Sequence, residues 1–422
     1  MSPSRPGTEP TPRFAIAACM LAALPTVIHA STQRMFGGVA TDIRQEFGAT
    51  NASMGIMAAA IGLAAVVLAP GAGALVDRLG ARRTLTAASF GYGACCAWFV
   101  LSGSVPNSTA SRLFMGLFAA FMYPGFIAVI ARLVETARRQ RAISLMQLSV
   151  GLSAILASLA ATPVLAADSW RIALAVPVGL FFVLGAIQWR TFASPSLRPR
   201  RSGEPRARPL SVREVLAVPD VRRACIVAIG TGGVMLALGG MLNGVVSRVV
   251  WKLPEETWGL VNAAFFLGFA VGGTVLVRIT RGIGLPRTLR GTILFLAGSI
   301  VAWAYLPLAI GAPAACAVTF CCGLGTSAMS IAVTVAIRAV PVDSVGIAAG
   351  VVGSAMALGG MVMEAGSMAT GSIPGSTPAG RVTACGVAVI AVVLCAYAAA
   401  RRIGDAPAAL AAGAHRQGQD RG

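Results

Sequence analysis

The chain is 422 residues long, 56% hydrophobic and only 12% charged, with a mean hydropathy of +0.77. Soluble domains carry roughly 25% charged residues, so a soluble globular enzyme, a disordered chain and a disulfide-stapled secreted domain are excluded, and a helical bilayer protein remains. The net charge of +19 does not mark a nucleic-acid binder, because the arginines, with Lys252 the single lysine, sit in short clusters between long apolar runs. That is how topology signals are arranged in membrane proteins.

A transmembrane helix needs about 20 mostly apolar residues. Twelve runs qualify: 14–38, 51–75, 84–103, 110–131, 143–166, 170–189, 224–247, 257–277, 288–309, 311–337, 345–369 and 382–400. The first is too long for the apolar region of a cleavable signal and is followed by further spans, so 1–13 is read as a tail. Between the sixth and seventh runs lies the one long polar stretch, 191–223, rich in proline, serine and arginine and read as a flexible linker. It separates 14–190 from 224–400, which have equal lengths, and 401–422 forms a second tail. Two six-helix halves of matching length are a transporter architecture. The expected fold is therefore an all-α membrane protein with 12 transmembrane helices in two halves.

Orientation follows from the arginines. With the N-terminus cytoplasmic, 27 basic residues fall in the inside segments and five outside: Arg44, Arg171, Arg248, Lys252 and Arg381. Positive charge stays on the cytoplasmic side, so both termini and the 191–223 linker are expected there.

The second run ends in Gly73-Ala74-Leu75-Val76-Asp77-Arg78-Leu79-Gly80-Ala81-Arg82-Arg83. This resembles the signature loop of the major facilitator superfamily, G-x-x-x-D-R-x-G-x-R-R, at every defined position. Gly73 lets two helices approach closely, and Asp77 at the membrane edge requires a positive partner. The resemblance implies that this partner is the positive N-terminal end of the eleventh span, which opens after Pro341-Val342-Asp343-Ser344 and carries Gly346, Gly350 and Gly353. Gly73, Asp77, Arg78, Gly80, Arg82 and Arg83 would then form a conformational latch. The second half carries a decayed relic, Gly273-Thr274-Val275-Leu276-Val277-Arg278, with Val277 at the place of the acid.

Ionisable residues inside spans are costly and are functional candidates by default. They are His29 and Arg34 in the first span, Arg112 in the fourth and Glu364 in the eleventh, with Gln33 and Asn243 as neutral polar companions. Arg112-Leu113-Phe114-Met115-Gly116 resembles the superfamily's R-x-x-x-G motif, tied in many members to proton coupling. A guanidinium stays charged, so it cannot carry the proton, but its fork can bind a carboxylate. Arg34 and Arg112 both lie near span ends, where snorkelling to the surface is the alternative. Glu364, a carboxylate among apolar residues, must be protonated or paired, as a proton carrier would be; the alternative is a neutral acid bonding a neighbouring helix. For His29 the alternative is a hydrogen-bonded structural residue.

Arg34 followed by Ile43-Arg44-Gln45-Glu46-Phe47-Gly48, and Met122-Tyr123-Pro124-Gly125 in the fourth span, resemble organic-anion transporters of the superfamily, including the anion:cation symporter branch. The fifth span lacks the Gly-Pro pair usual in the superfamily's drug/proton antiporters. No Walker-type loop is present, the single lysine precluding it, and the nine cysteines have no zinc-type spacing with His29 or His415.

The sequence thus reads as a secondary transporter, with no catalytic or metal site and no cofactor. It is expected to move a small-molecule substrate, specifically an organic anion together with protons, by alternating access. Arg34, Arg112, His29, Gln33 and Asn243 would contact substrate, and Glu364 with Arg112 would couple protons. The expected setting is a bacterial cytoplasmic (inner) membrane, as a monomer and without nucleic acid. Proton-driven efflux of an amphipathic or cationic compound and a non-transporting receptor or scaffold are the alternatives.

Overall fold

The computed structural model describes residues 12–134, 145–146, 148–159, 170–194, 210–254, 257–305, 311–341, 344–370 and 378–403. These residues are helical throughout, and no strand occurs among them. In chain order the helices are α1 (Pro12–Glu46), α2 (Asn51–Leu79), α3 (Ala81–Val100), α4 (Val105–Ala119), α5 (Met122–Leu133), α6 (Leu148–Leu159), α7 (Trp170–Thr191) and α8 (Val212–Ala217). There follow α9 (Pro219–Ala237), α10 (Asn243–Val249), α11 (Trp258–Ile283), α12 (Leu285–Tyr305), α13 (Ala312–Thr326), α14 (Ala328–Arg338), α15 (Val345–Thr370) and α16 (Pro378–Arg401).

Among the described residues nine segments are long and apolar enough to cross a membrane, α4–α5 and α13–α14 each counting as one, and two shorter apolar helices accompany them. The helix α3 is not among the nine; it opens on Arg82 and Arg83 and carries Thr84, Thr86, Ser89 and Tyr92. Several segments differ from the expected runs. The helix α1 continues through Arg44 to Glu46, where Glu46 pairs with Arg171 of α7. The fourth run breaks at Ala120–Phe121, and the tenth at Ser327. The seventh contains a π-helical turn, Leu238–Leu242, between α9 and α10.

Within the 191–223 segment, Val212–Ala217 form the short helix α8, which packs on α9 and α15. Ser211 and Glu214 form a reciprocal capping box at the start of α8, which satisfies two otherwise unpaired backbone donors. The Leu210 amide donates to Ser344 Oγ at the start of α15, 2.9 Å away.

Helix pairing repeats along the chain. The pairs α1·α7, α1·α5, α2·α4 and α3·α7 recur as α9·α16, α9·α14, α11·α13 and α12·α16. Both α2·α4 and α11·α13 are drawn together by glycine: a methyl on Gly116 would overlap the Ile61 carbonyl, and one on Gly323 the Phe265 carbonyl. Small residues let backbones meet where a bilayer offers no hydrophobic drive between helices. The long seam of α15 against α2 joins the two sets.

The turn repeats as well. Gly80, between α2 and α3, has φ 82° and ψ 153°; Gly284, between α11 and α12, has φ 85° and ψ 157°. Both amides donate back one turn, to Val76 and Thr280, and both carbonyls accept from a threonine hydroxyl, Thr84 and Thr288. Aligned on this turn, Asp77 corresponds to Arg281 and Gly73 to Val277. The relic therefore sits four residues later than its Gly-x-x-x-x-Arg pattern suggests, because backbone conformation, and not side-chain chemistry, is what the second copy retains.

Candidate functional site

A cavity of about 340 Å³ lies between the two sets of helices, large enough for a small ligand. One face of α1 lines it, with Thr26, His29, Ala30, Gln33, Arg34 and Gly37 recurring at helical spacing. The opposite wall is α15 from Ala349 to Glu364, with Met235 to Gly240, Phe266 and Met329 beside it.

Arg112 is 3% exposed and firmly held. Its Nε donates to the Met57 carbonyl at 2.7 Å, its Nη2 to Gln33 Oε1 at 2.9 Å, and its plane stacks 3.7 Å over Phe36. The R-x-x-x-G spacing explains the first bond. Gly116 lies on the Ile61 carbonyl, and one turn earlier on both helices Arg112 reaches the carbonyl of Met57. The bonds continue: Gln33 Nε2 donates to Tyr92 Oη at 3.1 Å, and Tyr92 Oη lies 2.8 Å from His29 Nδ1.

Arg34, 5% exposed, is held differently. It stacks 4.8 Å from the Phe266 ring centre, and its Nε has no hydrogen-bond partner among the described residues. Neither arginine snorkels to the surface. Glu364 lies within electrostatic reach of both, and its placement depends on the π-turn. A methyl on Gly240 would stand 2.6 Å from Glu364 Oε1 and 3.7 Å from Arg34 Nη1. The same turn meets α1 directly, since a methyl on Gly37 would lie 2.5 Å from the Gly240 carbonyl oxygen. An extra residue in one helical turn, a feature concentrated at functional sites, thus brings α1, α9 and α15 together around the charges.

The structure gathers His29, Gln33, Arg34, Arg112 and Glu364 around one cavity and leaves Asn243 outside it. Asn243 is fully buried, accepting from Trp303 Nε1 at 3.0 Å and donating to Asn262 Oδ1 at 3.3 Å, while Asn262 donates to Ser158 Oγ at 3.1 Å. Two participants have no place among the candidates read from the sequence, Tyr92 and Gly240. Tyr92 is detectable as a hydroxyl in mid-span that burial obliges to find a partner; Gly240 carries no sequence signal that sets it apart from its neighbours.

The profile of the Major Facilitator Superfamily matches residues 22–364. The chain belongs to that superfamily. No curated protein sequence matches it. Among solved structures, a bacterial homolog of the human lysosomal transporter Spinster, inward-facing and unoccupied, superposes with TM-score 0.68 at 15% identity, covering 94% of this chain and 98% of that one. The nucleoside transporter NupG, in a point-mutant form, gives 0.70 at 13%, covering 92% and 99%. The Spinster homolog in its occupied form gives 0.70 at 15%, covering 93% and 97%. At these identities the likeness is one of fold. This superfamily member is a multi-pass membrane transport protein, not an enzyme.

Within the superfamily signature, Gly73 faces the start of α15, a methyl there standing 3.6 Å from the Gly346 carbonyl carbon. Arg82 stacks 3.9 Å over the Trp189 ring and donates to the Trp189 carbonyl at 3.0 Å, so it ties α3 to α7. Arg83 is exposed. The side chains of Asp77 and Arg78 lie outside the described residues.

Proposed function

We propose that this transporter is a proton-coupled carrier of a small organic anion, working by alternating access between two six-helix halves, 14–190 and 224–400, with twelve spans. The observation that carries the reading is the guanidinium of Arg34, buried in the cavity wall with an unused Nε donor and Glu364 as its nearby counter-charge. Buried charges require partners. Protonation of Glu364 removes the negative charge of the cluster, and a substrate carboxylate can then take its place beside Arg34. Release of that proton on the other side restores Glu364 as competitor and expels the anion. Arg112, anchored through Nε to Met57 and through Nη2 to Gln33, contributes positive field and holds the site in shape.

The repeated helix pairing and the repeated Gly80/Gly284 turn support the two-half division. The arginine distribution supports cytoplasmic termini and linker in a bacterial inner membrane, and a monomer suffices for the mechanism. The Gly73 approach to Gly346 supports the latch on the cytoplasmic side, built on Asp77 and the positive start of α15.

The test is uptake into proteoliposomes over a panel of carboxylates, with and without an imposed pH gradient. Wild-type protein is expected to accumulate a carboxylate only with the gradient, and Glu364→Gln to retain exchange of substrate while losing accumulation. Gradient-driven accumulation by Glu364→Gln would remove Glu364 from the mechanism.

A further inference from the structure

The hydrogen bonds around His29 have a direction that can be worked out atom by atom. Arginine only donates, so the bond from Arg112 Nη2 fixes Gln33 Oε1 as acceptor and leaves the Gln33 amide nitrogen to donate to Tyr92 Oη. Tyr92 is fully buried. Its own hydroxyl proton needs an acceptor, and among the described residues the remaining bonded partner is His29 Nδ1, 2.8 Å away. His29 Nδ1 therefore accepts, and the ring is neutral with its proton on Nε2. No hydrogen bond within the described residues engages Nε2, and His29 lines the cavity. The ring is held edge-on to Tyr92, at 88° and 5.2 Å between centres.

Donors thus remain for a ligand on two groups of α1: Nε2–H of His29 and, five residues further along the helix, the guanidinium of Arg34. Both are on one cavity wall.

The rest of the cavity is of a different character. Along α15 the lining runs from Glu364 to Ala349, about 22 Å at 1.5 Å per residue. The register of the opposite wall is antiparallel, with Ser354 Oγ bonded to the Ala65 carbonyl and Gly73 beside Gly346. The charged groups gather toward the Glu364 end. Toward Ala349 the walls are Ala65, Ala69, Met235, Met329, Val333 and Met356, with Thr26 and Tyr123 as the polar exceptions.

We infer that the cavity binds an amphipathic monocarboxylate end-on: the carboxylate is held by the Arg34 guanidinium and His29 Nε2, and an aryl or branched alkyl body lies among the methionines and alanines toward Ala349. A second carboxylate at the far end of the ligand would be buried without a cationic partner, which is costly. A volume of about 340 Å³ lies at the small end of the roughly 300–1,000 Å³ range of ligand pockets, in keeping with one ring or a short branched chain. Tyr92 acts as a positioning residue, since it sets the His29 tautomer without touching the ligand. The inference rests on the organic-anion reading above and narrows it.

The experiment uses purified full-length protein in proteoliposomes, with phenylpropanoate, the corresponding neutral alcohol and the para-dicarboxylate of the same ring as competing probes. Phenylpropanoate is expected to bind at least about tenfold more tightly than either of the others, a charge-assisted hydrogen bond or an unpaired buried carboxylate each being worth that much. His29→Ala should weaken phenylpropanoate about tenfold, and His29→Gln, which restores a donor near the Nε2 position, should recover most of the loss. Tyr92→Phe should weaken it several-fold in the wild-type background and not at all on top of His29→Ala, an interaction that a purely structural tyrosine would not show. Equal binding of the dicarboxylate, or unchanged affinity in both His29 variants, would overturn the inference while leaving an organic-anion carrier standing. Failure of every carboxylate in the uptake panel would overturn both.

Discussion

Gly80 and Gly284 adopt the same backbone conformation, φ 82° and 85° with ψ near 155°, at the turns that follow α2 and α11. This region of backbone space is essentially reserved for glycine. Each turn lets two long helices reverse with no intervening loop, so α3 and α12 start one residue after the reversal.

Replacing either glycine by alanine is therefore expected to destabilise the protein by about 1–3 kcal/mol, with similar losses at the two positions. Thermal unfolding of the purified Gly80→Ala and Gly284→Ala variants checks this. A loss at Gly80 alone would show that the two turns are not equivalent.

Gly240→Ala places a methyl 2.6 Å from Glu364 Oε1. The carboxylate must shift from its place beside Arg34. We expect a folded protein destabilised by about 1–3 kcal/mol, the usual cost of overpacking, with carboxylate accumulation reduced more than exchange. Equal loss of both rates would mean that the methyl acts on the fold and not on Glu364.

Asn243→Ala should behave in the opposite way. It strands the indole N–H of Trp303 and one bond of Asn262, both buried, and should cost about 1–3 kcal/mol. Substrate affinity should hardly change, since Asn243 does not line the cavity. Measuring the unfolding midpoint alongside uptake separates the two effects; a raised apparent KM at unchanged stability would return Asn243 to the site.

Asp77→Asn is expected to insert and fold normally and to lower the transport rate several-fold. A charge at a helix N-terminus is worth roughly 0.3–2 kcal/mol, and Gly73, one turn before it, lies against the first residues of α15. Wild-type rates in a well-expressed Asp77→Asn variant would dismiss the latch.

The parts of this architecture legible in the sequence are those written in composition. Long apolar runs announce most of the helices, and the cost of burying charge singles out His29, Arg34, Arg112 and Glu364, which the fold brings to one cavity. What escapes is set by geometry that composition does not encode. The breaks at Ala120–Phe121 and Ser327 leave apolar runs uninterrupted. Asn243 looks like its polar companions, yet this side chain, just after the π-turn, faces Trp303 and not the cavity. The second-half relic reads one helical turn too early because Gly273 and Arg278 repeat the letters of the motif, while Gly284 repeats its conformation.

The polar run from Arg112 through Gln33 and Tyr92 to His29, together with Arg34, comes entirely from α1, α3 and α4. Glu364, Gly240 and Phe266 come from the other set of helices. On the two-half reading, the cargo's head group and the coupling proton thus travel on different bodies. Whenever the halves rock, the separation between Arg34 and Glu364 must change, and no hinge, loop or relay is needed to report the movement. On the proposed mechanism the proton count is then a property of the seam: Arg34 and Arg112 stand on one side, Glu364 on the other, and no second acid within the cavity lining is there to carry another proton.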